Sequence, residues 1–177
     1  HLFPPALFNR VKSVTIPYLI VLIGSLVIFP EFARAENEAT LLKGLRQLTF
    51  EGRRAGEGYF SSDGKKMVFQ SEREEGNPFY LIYLLDLETG DIERLSPGVG
   101  KTTCAWIHND GNRVLISSTH SDPESEAQQQ AEFEARNSGK ARKYAWDYDA
   151  HFDVYEYRFV SGEYQKLTNV EGYDAVG

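Results

Sequence analysis

Tyr59-Phe60-Ser61-Ser62-Asp63-Gly64-Lys65-Lys66-Met67-Val68-Phe69-Gln70-Ser71 reads as an aromatic start, a turn and an apolar run, and its landmarks come back further along the chain. Asp63-Gly64 recurs 47 residues on as Asp110-Gly111, and Leu48-Thr49 recurs at the same spacing as Leu95-Ser96. Leu95-Ser96 then returns 72 residues later as Leu167-Thr168, and Thr89-Gly90 returns at that second offset as Ser161-Gly162. Two independent landmarks agree at each offset. The 25 residues by which the offsets differ place an insertion in the second copy, between Asp110-Gly111 and Ser161-Gly162.

Asp-Gly between apolar runs is a strong hairpin signal, because tight turns need a positive φ that glycine supplies without steric cost. Each copy therefore reads as four short antiparallel strands. They fall near 58–60, 66–70, 79–85 and 91–95 in the first copy, and near 103–107, 113–117, 153–159 and 163–167 in the second. In the last long run Tyr155, Tyr157 and Phe159 alternate and so share one face. A four-stranded unit of about 40 to 50 residues is the signature of a β-propeller blade, which buries its two faces only against neighbouring blades. The predicted fold is all-β. Residues 46–96 form one blade, 97–168 a second carrying an insertion at 121–150, and 169–177 the start of a third. Propellers use about 4 to 8 blades, so more blades, and with them a longer protein, are expected beyond Gly177.

Leu48-Thr49, the run from Tyr59 to Ser71, and Ile82-Tyr83-Leu84-Leu85-Asp86-Leu87-Glu88-Thr89-Gly90 together resemble the WD-like propeller repeat of the TolB family. That blade has a Ser-Pro-Asp-Gly-Lys turn, a strand ending near serine, and an Asp-x-x-Thr-Gly turn before a Leu-Thr. The resemblance spans residues 46–120 and 151–177, with Ser62 and Asn109 standing where the family favours proline. The family's separate amino-terminal α/β domain has no match here. The resemblance implies a periplasmic propeller; similar blades also accompany exported peptidases.

Arg10 and Lys12 precede an uncharged apolar run over 14–29, and Ala33-Arg34-Ala35 closes the segment with small residues at the two positions a signal peptidase reads. Residues 1–35 are thus expected to be a secretory signal peptide, and 36–45 a linker. Left uncleaved, the same segment is an anchor and the one expected contact with a membrane. Of the 177 residues, 41% are hydrophobic and 25% charged, which excludes a wholly disordered, collagen-like or polytopic membrane chain. A net charge of −7 removes the electrostatic footprint of a nucleic-acid binder. The single cysteine, Cys104, excludes an internal disulfide and any multi-cysteine zinc site.

In the insertion, Asp122-Pro123-Glu124 leads into a short polar helix over 125–136, with Asp122 placed to cap, Pro123 at the first position and Gly139 at the exit. Beyond it, Tyr144, Trp146 and Tyr148 are candidate contacts for a partner, and Asp147 and Asp149 candidate polar or calcium contacts. The plainer reading has the aromatics pinning a surface loop while the carboxylates stay hydrated, since the acids lack the glycine and terminal glutamate of a calcium loop.

No catalytic constellation is visible. His108, His120 and His151 lie near aspartates without an H-E-x-x-H pattern, so no metal or cofactor is expected. Cys104 reads as a packed thiol on an inner strand, and Ser61, Ser62, Ser117 and Ser118 lack a G-x-S-x-G elbow. Gly98-Val99-Gly100-Lys101-Thr102-Thr103 is not a phosphate loop, because Leu95 stands where the leading glycine belongs. The expected function is an exported, non-catalytic module that binds a protein or cell-envelope component. The alternative is the accessory propeller of an exported peptidase whose catalytic domain lies beyond Gly177.

Overall fold

The computed structural model describes residues 42–139 and 148–175; the expected signal peptide, most of the linker, and Tyr144, Trp146 and Asp147 lie outside the described residues. Among the described residues, eight strands and one helix follow in chain order: β1 Arg54–Phe60, β2 Lys66–Glu72, β3 Leu81–Asp86, β4 Ile92–Arg94, β5 Thr102–Ile107, β6 Arg113–Ser118, α1 Ser125–Asn137, β7 Asp153–Arg158 and β8 Glu163–Lys166. They form two four-stranded antiparallel sheets, β1-β2-β3-β4 and β5-β6-β7-β8. Among the described residues the fold is all-β apart from α1, and no described helix is long and apolar enough to cross a membrane.

The repeated dipeptides have matching jobs. The Gly64 N–H donates to the Ser61 carbonyl at 2.9 Å, and the Gly111 N–H to the His108 carbonyl at 2.8 Å, with φ of +69° and +71° at the two glycines. The Asp63 carboxylate accepts from the Ser61 hydroxyl and the Lys65 N–H, and Asp110 from the Asn112 N–H. These donors, the Ser61 hydroxyl first for Asp63 and the Asn112 N–H first for Asp110, hold both acids below the usual carboxylate range. The Leu-Ser and Leu-Thr landmarks close the third strand of each sheet. The Leu95 N–H donates to the Ile82 carbonyl, and the Ile82 N–H to the Ser96 hydroxyl at 2.9 Å. In the second sheet the Leu167 N–H donates to the Val154 carbonyl, and the Val154 N–H to the Thr168 hydroxyl at 3.0 Å.

The shared core lies between the sheets. Val68, Ile82, Leu84 and Leu95 of the first repeat meet Ala105, Ile107, Val114, Ile116 and Tyr155 of the second, and Tyr157, Phe159 and Tyr164 pack against them. The alternating aromatics of the last long run thus do face one way. Fully burying an aliphatic or aromatic side chain contributes about 1.5–3 kcal/mol, so this interface is the main adhesive. The opposite face of the first sheet carries Met67, Phe69, Leu81, Tyr83 and Leu85, with Leu48 and Leu87 against them. Leu48 therefore serves that face much as Leu95, 47 residues on, serves the second sheet.

Two local features depart from the sequence reading. Each first strand carries a bulge, between Gly56 and Tyr59 and between Thr103 and Ala105. The residues in left-handed conformation there are Glu57 (φ 44°) and Cys104 (φ 48°), again 47 apart. A bulge bends a strand and re-aims its side chains. Cys104 is consequently half-buried, not packed in the core, and its thiol lies 3.8 Å from a Glu57 carboxylate oxygen. Burial chiefly, with the Glu57 charge, pushes the thiol up. The helix also begins later than its sequence signals suggest. Glu124 is the N-cap and makes no side-chain cap; the Asp122 carboxylate instead accepts the Glu124 N–H at 2.9 Å, one turn upstream.

Candidate functional site

The two stems of the insertion meet beside the loop joining β4 to β5. On the outgoing side, the Asp122 N–H donates to the Thr119 carbonyl, and the Ser125 hydroxyl donates to that same carbonyl at 2.7 Å. The side chain of Asp122 is left 1% exposed, with one oxygen on the Glu124 N–H and the other accepting the Gln128 amide at 3.0 Å. On the returning side, the Asp149 carboxylate accepts the His151 N–H at 3.0 Å through Oδ1 and the Lys101 ammonium at 3.0 Å through Oδ2. Lys101 in turn lies 5.3 Å from the centre of the Phe79 ring. The His151 ring reaches between the two acids: Nδ1 is 3.3 Å from Asp149 Oδ1 and 3.5 Å from Asp122 Oδ2. Burial raises the cost of ionising Asp149, but the His151 N–H and the Lys101 ammonium outweigh it and hold the acid below the usual carboxylate range.

Next to this cluster Tyr148 is 69% exposed, and its ring stacks on Tyr173 at 5.7 Å between centroids. Tyr173 is held from below by the edge of the buried Phe152 ring at 5.1 Å. Of the five candidate contacts read from sequence, the structure therefore places Tyr148 at the surface and Asp149 in an ionic cluster; Tyr144, Trp146 and Asp147 lie outside the described residues. Sequence reasoning gave Asp122 only a capping role and did not see Lys101 or Tyr173. No local signal could have found them, since they converge from segments 21 to 72 residues apart.

Other chemistry-bearing residues among those described have partners of their own. The His120 ring packs tilted against Tyr155, and Ser118, fully buried, bonds to Thr102 and His120. His108 contacts Asp110 and Arg113. The glycine-rich stretch before β5 is occupied by side chains: Asn77 donates to the Gly98 and Gly100 carbonyls, and Gln129 of α1 accepts the Gly100 N–H at 2.8 Å.

No protein-family model and no curated protein matches the sequence. Among solved structures the chain is similar to TolB from Acinetobacter baumannii, with 24% identity and a TM-score of 0.49 over 72% of this chain and 24% of that one. It is also similar to a putative TolB from Agrobacterium tumefaciens, with 18% identity and a TM-score of 0.49 over 71% of this chain and 37% of that one. The chain thus spans about a quarter of the first and somewhat over a third of the second.

Proposed function

We propose that the chain is part of an exported, non-catalytic propeller module that binds a protein or cell-envelope component at the rim where the insertion leaves and rejoins the second sheet. Residues 46–96 and 97–168 act as successive blades, and residues 1–35 direct the chain to the periplasm. The observation that carries the reading is Tyr148: a large aromatic, mostly exposed, yet stacked on Tyr173 and followed directly by the anchored Asp149. A pre-positioned tyrosine loses little side-chain entropy on binding, which is why such residues are enriched among binding hot spots. The acidic balance of the chain favours a partner with a basic or neutral face over a nucleic acid.

Site-specific photo-crosslinking tests this. With p-benzoylphenylalanine at position 148, a defined adduct to an envelope component is expected. The same group at Val160, which is 93% exposed on the β7–β8 turn, should give none. Equal crosslinking at both positions, or none at 148, would sink the proposal.

A further inference from the structure

The geometry points to a zinc-type divalent metal site formed by Asp122, Asp149 and His151. Their donor atoms all lie within 4.8 Å of one another. The two separations to the imidazole nitrogen, 3.3 Å and 3.5 Å, are those of a tetrahedron's edges, since zinc bonds of about 2.0–2.2 Å put neighbouring ligands about 3.3–3.6 Å apart. A mixed imidazole and carboxylate set suits zinc and its first-row neighbours, whereas calcium and magnesium take oxygen alone.

The surroundings orient these donors as second-sphere groups do around metal ligands. The Glu124 N–H and the Gln128 amide fix Asp122, while the Lys101 ammonium and the His151 N–H fix Asp149. Asp122 Oδ2 holds the Gln128 amide and Asp149 Oδ1 the His151 N–H; the other contact of each is the imidazole Nδ1, which carries no proton as a metal ligand, so each oxygen then keeps one of its two lone pairs for a metal. Both carboxylates are buried, with side chains 1% and 9% exposed, and the imidazole is 61% exposed. The site therefore opens to solvent on the histidine side, leaving the fourth position to water. Lys101 neutralises one acid, so the two carboxylates, the ammonium and a divalent ion sum to a single positive charge. The metal would tie the first residues of the insertion to its last ones, independently of any partner.

The test uses the tag-free, metal-stripped chain, titrated with Zn²⁺ against a chromophoric chelator and, separately, with Co²⁺ to read the visible absorption of tetrahedral coordination. One Zn²⁺ per chain is expected. His151→Ala, at an exposed position where the fold should survive, should weaken binding about 100-fold or more, and Gln128→Ala about tenfold. Absence of Zn²⁺ uptake, or uptake equally tight in His151→Ala with unchanged circular dichroism, would overturn the assignment.

Discussion

Where the first repeat hands over to the second, the Gly100 N–H bonds to Gln129 and the Pro78 carbonyl accepts from Arg136, both side chains of α1. Where the second repeat ends, the equivalent residues 72 positions on bond to each other: the Gly172 N–H donates to the Ala150 carbonyl at 3.2 Å. One step further the corners coincide again, with the Thr102 N–H on the Tyr80 carbonyl at 2.9 Å and the Asp174 N–H on the Phe152 carbonyl at 3.0 Å. The insertion of the second repeat has thus replaced a backbone contact of the first with side chains. Arg136 deepens the replacement, because its guanidinium also pairs with Glu72 of β2 at 2.5 Å and Glu132 of α1 at 2.8 Å. An insertion that looks like an ornament on one sheet is a strap across both.

The sharpest way to break this comparison is at the paired glycines. At Gly100, φ is +76° and a Cβ would sit 2.9 Å from the Thr119 hydroxyl and 3.0 Å from the His120 backbone nitrogen. Gly100→Ala should therefore cost about 3 kcal/mol, backbone strain and overlap together. At Gly172 no atom lies within 4 Å of such a Cβ, so Gly172→Ala should cost about 1–2 kcal/mol from the backbone alone. Urea unfolding of the two variants reads the difference; equal losses would mean that the corners are not distinct.

Arg136→Ala comes next, with an expected loss of about 2 kcal/mol. The figure is discounted because the arginine is partly exposed and Glu72 keeps Arg54 at 2.8 Å. Amide exchange should quicken in α1 and at Gly100, and stay unchanged at Gly172; an undisturbed α1 would refute the strap. Ser96→Ala and Thr168→Ala compare the strand-closing hydroxyls. Ser96 is buried, so stranding the Ile82 N–H should cost about 1–3 kcal/mol, and the half-buried Thr168 about 0.5–1.5 kcal/mol, both by chemical denaturation.

The smallest effect is on the acid limb. Asp63 and Asp110 have folded pKa values below their ordinary 3.8, so the unfolded chain binds protons more readily in that range. Their contribution is present above about pH 4 and disappears as the pH falls through the depressed values. Asp63→Asn and Asp110→Asn should each flatten the acid limb of a thermal-stability profile slightly and by similar amounts, the two turns being built alike. A change in the neutral range instead would contradict that origin.

The strands and turns were legible because their causes are local. Asp63-Gly64 makes a turn whatever lies beyond it, and the alternation of Tyr155 and Tyr157 marks a buried face before any partner sheet is known. The bulges were not legible, because neither Glu57 nor Cys104 is a residue type that announces positive φ; only pairing with β2 and β6 forces it. The site was legible in part. Tyr148 was read as a candidate partner contact from its aromatic neighbourhood and Asp149 as a polar or calcium contact, while the convergence of Asp149 with Asp122 and Lys101 had no signal in the sequence.

From the order of residues alone came the repeat, the four-stranded unit and the place where a second copy was interrupted, since each follows from spacing and from the φ preferences of single residues. Tertiary structure decided what the interruption does. The carboxylates of Asp122 and Asp149 are brought together across 27 residues of sequence by the pairing of β6 with β7, and α1 is laid against the first sheet by Gln129 and Arg136. The physical reason is that a strand's period and a turn's torsions act over a few residues. Convergence of charges across an insertion depends instead on which sheets pack and in what register.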